Sequence, residues 1–381
     1  MHICFLTNEF PKEGFPHGGI GSFVKTIATA LVKKGIDVSI IGINYTQNDE
    51  TEIVEGVKVY RLKKSTVKGL SWYFNSKAIN KKIKQIHEQH SISIVESSEL
   101  GLAFIKKIRE IKYVLRLHGG HHFFAESENR KINRWKGFQE KRSFKNTDAF
   151  IAVSKYVKNH TEKYLSYDNK PLVYISNPID TDFFKPILGN ESEHKIVFAG
   201  TVCEKKGIRQ LIQSFSYVKK KFPNATLEIY GRDWFFADGS SYIEMLKEKE
   251  LLQLGKMQED IQFHGSIPYA NIPLAYSEAA VCVFPSHMET QGLVAPEAMA
   301  MEKIVVFTKL GPGPETIIDG ETGLLCDPHN PKDIAEKIIW VFFNSEKVKI
   351  IAEKARQDVL MKFNIENLIQ KNIQFYLDVI N

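Results

Sequence analysis

The sequence predicts an α/β protein built from two doubly wound parallel-sheet domains in series. Short apolar runs alternate with longer stretches of helical period, the signature of βαβ units. The alternation stops at SNPIDTDFFKP (176–186), whose prolines, Asp and Asn mark a break, and then starts again. The length of 381 residues suits about two domains.

In the first series HICFLT (2–7) reads as a strand. The Gly-rich HGGIG (17–21) then opens a helix in which Phe23, Ile27, Ala30 and Leu31 fall on one face. Further strands are expected at DVSIIGI (37–43), VKVYRL (57–62), ISIVE (92–96), YVLRLH (113–118) and AFIAVS (149–154). The second series has KIVFAG (195–200), TLEIYG (226–231), IQFHG (261–265), AVCVFP (280–285) and KIVVFT (303–308), with helices near 204–221, 241–254 and 269–277. The first domain is therefore placed at 1–180 and the second at 181–362. A C-terminal helix, 363–381, is expected to pack back on the first domain. Two such sheets in series predict a cleft between their C-terminal strand edges, where ligands collect.

With 43% hydrophobic and 25% charged residues, the composition excludes disordered, collagen-like and disulfide-scaffold proteins. No apolar run approaches the roughly 20 residues that cross a bilayer. MHICFLTNEF lacks a basic n-region and reaches Asn8 and Glu9 too early for a signal peptide, so a cytoplasmic location is expected. Cys4, Cys203, Cys282 and Cys326 are scattered without a CxxC pair and read as buried free thiols. The formal charge of +6 hides an asymmetry. Residues 1–180 hold 29 Lys/Arg against 18 Asp/Glu, whereas residues 181–381 hold 22 against 27. A basic first half suits an anionic partner or surface, or a solvated lysine face. Nothing in the motifs points to nucleic acid.

The most informative stretch is PSHMETQGLVAPEAMA (285–300). A buried strand runs into a loop, and a helix is expected to start near Pro296, which needs no N–H at the first helical position. Glu289 lies on the loop and Glu297 in the first turn. Between them the N–H groups of Gly292, Leu293 and Val294 suit an anion, and a pair of acceptor-only carboxylates suits sugar and ribose hydroxyls. Taken alone, the two glutamates would also fit a helix-dipole partner and a solvated loop charge.

The E-x7-E spacing from Glu289 to Glu297, followed by AMA, resembles the signature of retaining glycosyltransferases of family 4. FAGTVCEKKGIRQLI (198–212) is similar to that family's G-R-L-x-x-x-K-G element, and GPGPETIIDGETGLLCDP (311–328) to its G-x-x-PE-x-I-x-x-G-x-x-G-x-L segment. In the first half, HGGIG sits where the family has its acceptor-side glycine loop. RLHG (116–119) resembles its strand-end histidine, AFIAVSKYV (149–157) its last N-domain strand and helix, and NPIDTDFFKP its linker. The resemblance implies the GT-B fold, two Rossmann-like domains facing each other across a cleft. It also implies transfer of a sugar from a nucleotide-diphosphate sugar to a hydroxyl with retained configuration, with closure over the cleft excluding water.

Residue by residue, the resemblance implies that Glu289 contacts the donor sugar, Glu297 the ribose, and Lys206 the diphosphate, whose leaving charge an ammonium stabilises. Gly18, Gly19, Gln291, Gly292, Leu293 and Val294 complete the donor side. His118, at a strand end before Gly119 and Gly120, is implied at the reaction centre together with Glu289. His121, His122 and Glu126 follow on the same loop and are candidates for the acceptor side. One departure stands out: the family's Arg five residues before the Lys is Thr201 here, and a hydroxyl cannot replace a bidentate guanidinium. Lys205 or a basic group of the first domain is the expected substitute.

No metal or cofactor is expected. Asp180-Thr181-Asp182 spells a DxD, yet after Asn177-Pro178 it reads as turn chemistry. GxGxxG is not satisfied at 19–24, so nicotinamide binding is unsupported. The expected partners are a nucleotide sugar, with UDP the base most frequent in the family, and a sugar or lipid-linked sugar acceptor. Such an enzyme would serve bacterial-type polysaccharide or glycoconjugate assembly. KAINKKIKQIHEQH (77–90), with Ile79, Ile83 and Ile86 on one face, fits either contact with an anionic membrane or a core-packed helix with a solvated basic face. Two other functions fit the same fold: a nucleotide-sugar epimerase, which would need acid/base groups, and a degenerate nucleotide-binding subunit.

Overall fold

The chain folds as two units, residues 1–178 with 365–381 and residues 179–364, each built on one sheet. The computed structural model describes all residues except 14, 16, 17, 44–47, 128, 129 and 190. His17, at the head of HGGIG, therefore lies outside the described residues.

In the first unit the strands are β1 (His2–Leu6), β2 (Asp37–Ile43), β3 (Glu50–Val54), β4 (Val57–Leu62), β5 (Ile94–Ser97), β6 (Lys112–Leu117), β7 (Ala149–Ala152) and β8 (Leu172–Tyr174). They are ordered β3-β4-β2-β1-β5-β6-β7-β8 and are parallel except for the β3–β4 hairpin. β1, β5 and β7 are buried along their whole length, as strands covered on both faces must be; HICFL and AFIA are correspondingly near-continuous apolar runs, whereas β5, IVES, buries Glu96 and Ser97. The edge strands β3 and β8 escaped the sequence reading because ETEIV alternates with charge and LVY is only three residues long. The helices are α1 (Gly19–Lys33), α2 (Ser71–Gln89), α3 (His121–Ser127), α4 (Arg134–Asn146) and α5 (Lys155–Glu162). Ile83 and Ile86 are buried, so the isoleucine face of α2 packs inward and its lysines face solvent.

The second unit is a parallel sheet of β9 (Lys195–Ala199), β10 (Thr226–Tyr230), β11 (Ile261–Gly265), β12 (Val281–Phe284), β13 (Val305–Thr308) and β14 (Leu324–Cys326), in the order β11-β10-β9-β12-β13-β14. Numbered from its first strand this is 3-2-1-4-5-6, the doubly wound order of dinucleotide-binding sheets. Its helices are α6 (Ile208–Lys219), α7 (Tyr242–Leu246), α8 (Ile272–Ser277), α9 (Val294–Ala300), α10 (Gly313–Thr316), α11 (Pro331–Phe343) and α12 (Ser345–Lys362). The continuous helix expected over 241–254 is instead α7, a π-turn segment and a 3-10 segment broken at Gly255, where φ is +57°. α9 begins at Val294 rather than Pro296, because the chain already turns helical at Leu293.

The last helix, α13 (Ile365–Ile380), belongs to the first unit. Its Leu368, Ile369, Phe375, Tyr376 and Val379 join the core formed by Phe23, Ile27 and Leu31 of α1 with the central strands. All four cysteines are buried and free.

Candidate active site

In the second sheet the winding reverses between β9 and β12, and ligands of such sheets bind where loops diverge at that switch point. The loop after β9 carries Thr201, Lys205 and Lys206; the loop after β12 carries Glu289, Gln291 and Gly292. The two loops are in contact. The His287 N–H donates to the Lys205 carbonyl at 2.9 Å. Gly207, with φ +69°, passes so close to Pro285 that a Cβ there would lie 1.8 Å from the Pro285 carbonyl oxygen. This approach brings the Lys206 ammonium onto Oε1 of Glu289, which also accepts from Ser286 Oγ at 2.8 Å. Lys206 and Glu289 are thus joined as an ion pair at the switch point, both largely buried. Gln291 is buried beside them in sequence. Gly292 is required by its φ of +77° and by Phe307, whose ring would meet a Cβ at 2.7 Å. Leu293 and Val294 lead into α9, whose first bonds run from Ala295 to the Gly292 carbonyl and from Glu297 to Leu293.

Glu297, on α9, is 7% exposed. Burial pushes its pKa up to about 7, opposed in part by the Tyr269 hydroxyl. The Tyr269 hydroxyl donates to Glu297 Oε1 at 3.3 Å. This tyrosine lies in IPYANIPLAYS, far from the glutamate in sequence, and no local motif announces it.

His118, Gly18 and Gly19 belong to the first unit. Gly18 caps α1, and its N–H donates to Glu9 Oε2 at 3.1 Å. His118 follows β6, and its ring packs 5.0 Å from that of Phe23 on α1. Burial, and next the charge of Arg116, push its pKa down to about 3, so the imidazole is neutral at physiological pH. Beneath this loop lies Glu99, a carboxyl the motifs did not single out. It is 3% exposed, and burial raises its pKa to about 8 against hydrogen bonds from the His118 and Gly119 backbone.

His121 and His122 are engaged inside the unit: His121 Nε2 accepts from the N–H of Asn133, the N-cap of α4, and His122 Nδ1 bonds Glu140. Glu126 accepts from the Tyr164 hydroxyl and lies 3.1 Å from His160 Nε2, tying α3 to α5. These contacts hold structure together, and the sequence carries no signal that distinguishes them from acceptor contacts.

The first sheet reverses its winding between β1 and β5, and there a cavity of about 350 Å³ is lined by Thr7, Asn8, Ser97, Trp72, Phe104 and Gln139 among others. Trp135 stands over its rim, its ring 5.3 Å from Trp72 and 5.6 Å from Phe104. None of these aromatics was anticipated. Asp180 of the DxD uses Oδ1 to accept the N–H groups of Asp182 and Phe183, a turn as expected from its sequence context. Among the described residues, no three His, Cys, Asp or Glu side chains are grouped to hold a metal.

Two family models match the chain, Glycosyltransferase Family 4 over residues 17–183 and Glycosyl transferases group 1 over residues 180–358. An uncharacterized glycosyltransferase of Methanocaldococcus jannaschii is 29% identical over 358 residues, which cover 91% of each chain. Among solved structures, sucrose-phosphate synthase from Thermosynechococcus elongatus has a TM-score of 0.86 at 21% identity, covering 99% of this chain and 98% of that one. Anabaena HepE in complex with UDP-glucose has a TM-score of 0.79 at 17% identity, covering 99% and 100%. With one model matching in each unit, a relative aligned over nearly its whole length and neighbours that share both sheets, the chain belongs to the family 4-like glycosyltransferases of GT-B fold.

Proposed function

We propose that the protein transfers a sugar from a nucleotide-diphosphate sugar to a hydroxyl of a sugar or lipid-linked sugar, with retention of configuration, in polysaccharide or glycoconjugate assembly. The observation that carries this reading is the Lys206–Glu289 pair at the switch point of the second sheet, with Glu297 on the helix that follows. The pair is a charge-matched stand-in for what the donor brings. A diphosphate takes over Lys206, and Glu289, released, accepts sugar hydroxyls while Glu297 accepts those of the ribose. Lys206 then stabilises charge on the departing phosphate. The acceptor oxygen bonds to the anomeric carbon as the bond to phosphate breaks, and the leaving phosphate oxygen takes the acceptor proton. His118, neutral, adds no repulsion to the positive charge that builds on the sugar ring. UDP is the proposed base, as in the HepE complex. The reaction as written needs no metal or cofactor, so chelation is expected to leave it unchanged.

For the acceptor, support comes from the aromatic cavity of the first unit. Tyr73, Phe74, Trp135 and Phe138 are exposed at 40–48%. The stretch 63–87 holds seven lysines and no acid. Exposed aromatics beside lysines suit a lipid-linked acceptor at an anionic membrane surface, with the protein otherwise cytoplasmic. Co-sedimentation with phosphatidylglycerol vesicles, lost in phosphatidylcholine and at high salt, is the expected result.

The central experiment is incubation with UDP-, GDP- and ADP-sugars, measuring nucleoside diphosphate release with and without acceptor mixtures. Acceptor-dependent release that disappears in folded Glu289→Ala and Glu297→Ala supports the reading; wild-type turnover in both variants sinks it. An epimerase reading draws on Glu99, the one buried carboxyl near His118 with a pKa of about 8. It predicts sugar inversion without an acceptor.

A further inference from the structure

We infer that Arg232, in the loop that follows β10 and beside the Thr201 loop, is a phosphate-binding residue of the donor site and supplies the guanidinium that position 201 lacks. The inference rests on the proposed nucleotide-diphosphate donor and adds to it a residue that no motif marked.

The pairing of β9 with β10 does not stop where the strands end. Gly200 N–H donates to the Tyr230 carbonyl at 2.9 Å, and Val202 N–H to the Arg232 carbonyl at 2.9 Å. Val202 and Asp233 form a parallel bridge beyond the sheet. Residues 201 and 232 therefore leave the sheet side by side, at the C-terminal edge where the Lys206 loop also begins. The Arg232 Nε donates to Thr201 Oγ1 at 3.5 Å, the long end of a hydrogen bond, which aims the guanidinium across the Thr201 loop.

The backbone at this point is held from both sides. Asp233 accepts the Ser241 hydroxyl at 2.5 Å and the Ile243 N–H at 3.0 Å, which fastens it to the start of α7. Its carboxylate is thereby occupied, and among the described residues none is paired with Arg232. The Arg232 side chain is exposed. An exposed guanidinium on a fixed backbone, with Nε on a threonine, keeps both Nη groups for a bidentate anion contact. The cation at hand on the neighbouring loop, Lys206, is held by Glu289. A diphosphate carries more than one negative charge, and the second half of the chain is net acidic, so a second cation at this edge has a clear electrostatic task.

The test measures binding of UDP, GDP and ADP, and of the three matching nucleosides, by calorimetry. The proteins compared are the full-length wild type, Arg232→Met, Arg232→Lys and the relocated pair Arg232→Thr/Thr201→Arg. The expected result is that Arg232→Met weakens the diphosphate by about tenfold to a hundredfold and leaves the nucleoside unchanged. Arg232→Lys recovers part of the loss, and the relocated pair recovers most of it. If the wild type binds a diphosphate and Arg232→Met binds it equally well, the inference is overturned while the donor reading stands. Equal weakening of diphosphate and nucleoside also overturns it, since that is what a merely structural residue would do. If the wild type binds none of the three diphosphates, the donor reading fails and the role of Arg232 fails with it.

Discussion

Arg116 and Glu96 form an ion pair inside the first unit, Nε to Oε1 at 2.7 Å, with side chains 1% and 2% exposed. The pair is closed by α13: Asn372 Oδ1 accepts from Arg116 at 2.6 Å, and the Tyr376 hydroxyl donates to Glu96 Oε2 at 2.7 Å. Arg116 also lies 4.8 Å from the Phe23 ring, whose other neighbour is His118. The final helix is thus connected through three side chains to the strand end that carries the proposed reaction-centre histidine.

Removing one partner of such a pair leaves a buried charge without a counter-charge. Glu96→Gln is expected to cost about 3–5 kcal/mol, and the double variant Glu96→Leu/Arg116→Met less than that single change. Urea denaturation followed by circular dichroism reads both, and a double variant less stable than Glu96→Gln would contradict the account.

The same double variant probes His118. Burial is the larger cause of its low pKa and Arg116 the smaller, so removing the guanidinium raises the pKa while leaving it below the ordinary 6.5. Nuclear magnetic resonance titration of the ring measures this directly. A ring that titrates near 6.5 in the wild type would show that it is not desolvated.

At the second switch point, Lys206→Ala is expected to lower transfer by about a hundredfold or more while nucleoside binding persists, because its charge matters most as the phosphate leaves. Gly207→Ala is expected to disrupt the same site indirectly, since both φ and the Pro285 carbonyl forbid a side chain. Loss of diphosphate binding in Gly207→Ala, with the second unit otherwise folded, is the measurement that checks this.

What was legible in the sequence follows from how local each signal is. The central strands and α9 announce themselves because one uninterrupted apolar run, or one Glu-to-Glu spacing, contains the whole message. Thr201 was legible as a gap in a motif. Its neighbour Arg232 was not, because strand order, and not sequence distance, brings two residues 31 positions apart into side-by-side contact. The same holds for Tyr269 on Glu297 and for Glu99 beneath His118. A buried carboxylate looks identical in sequence to a solvated one until the chain that buries it is in place. His121 and His122 show the converse: histidines that follow a strand-end glycine pair look available, and α4 folds back to occupy both.

If Glu297 binds the ribose as proposed, nucleotide binding depends on pH. Its carboxylate form would accept ribose hydroxyls, and with burial pushing its pKa up to about 7 that acceptor is lost progressively as pH falls through neutrality. Nucleoside diphosphate affinity is therefore expected to fall between about pH 8 and pH 6, and Glu297→Gln to bind more weakly with a flat profile. Parallel pH profiles in the two proteins would assign the dependence elsewhere.

Glu99 makes stability pH-dependent in the opposite sense to an ordinary ion-paired acid. Its folded pKa, about 8, stands above the unfolded value near 4.5, so the folded state holds the proton more tightly. Its contribution is fully present below about pH 4.5 and is lost as pH rises through 8. Of the groups facing it, Glu140, whose carboxylate lies with Glu99 around Gly120, acts with burial and repels the ionised form, while the backbone N–H groups of Glu99 itself, Gly119 and His118 act the other way and offset only part of the penalty. Glu99→Gln keeps the shape of the protonated acid and removes its titration. The wild type is expected to lose on the order of a few kcal/mol relative to Glu99→Gln between pH 5 and pH 8.5. Other groups, Glu297 among them, contribute equally to both proteins, so the difference between their urea midpoints isolates this residue. A difference that does not change with pH would mean that Glu99 is ionised in the folded protein, and that the loop carrying His118 rests on a charge.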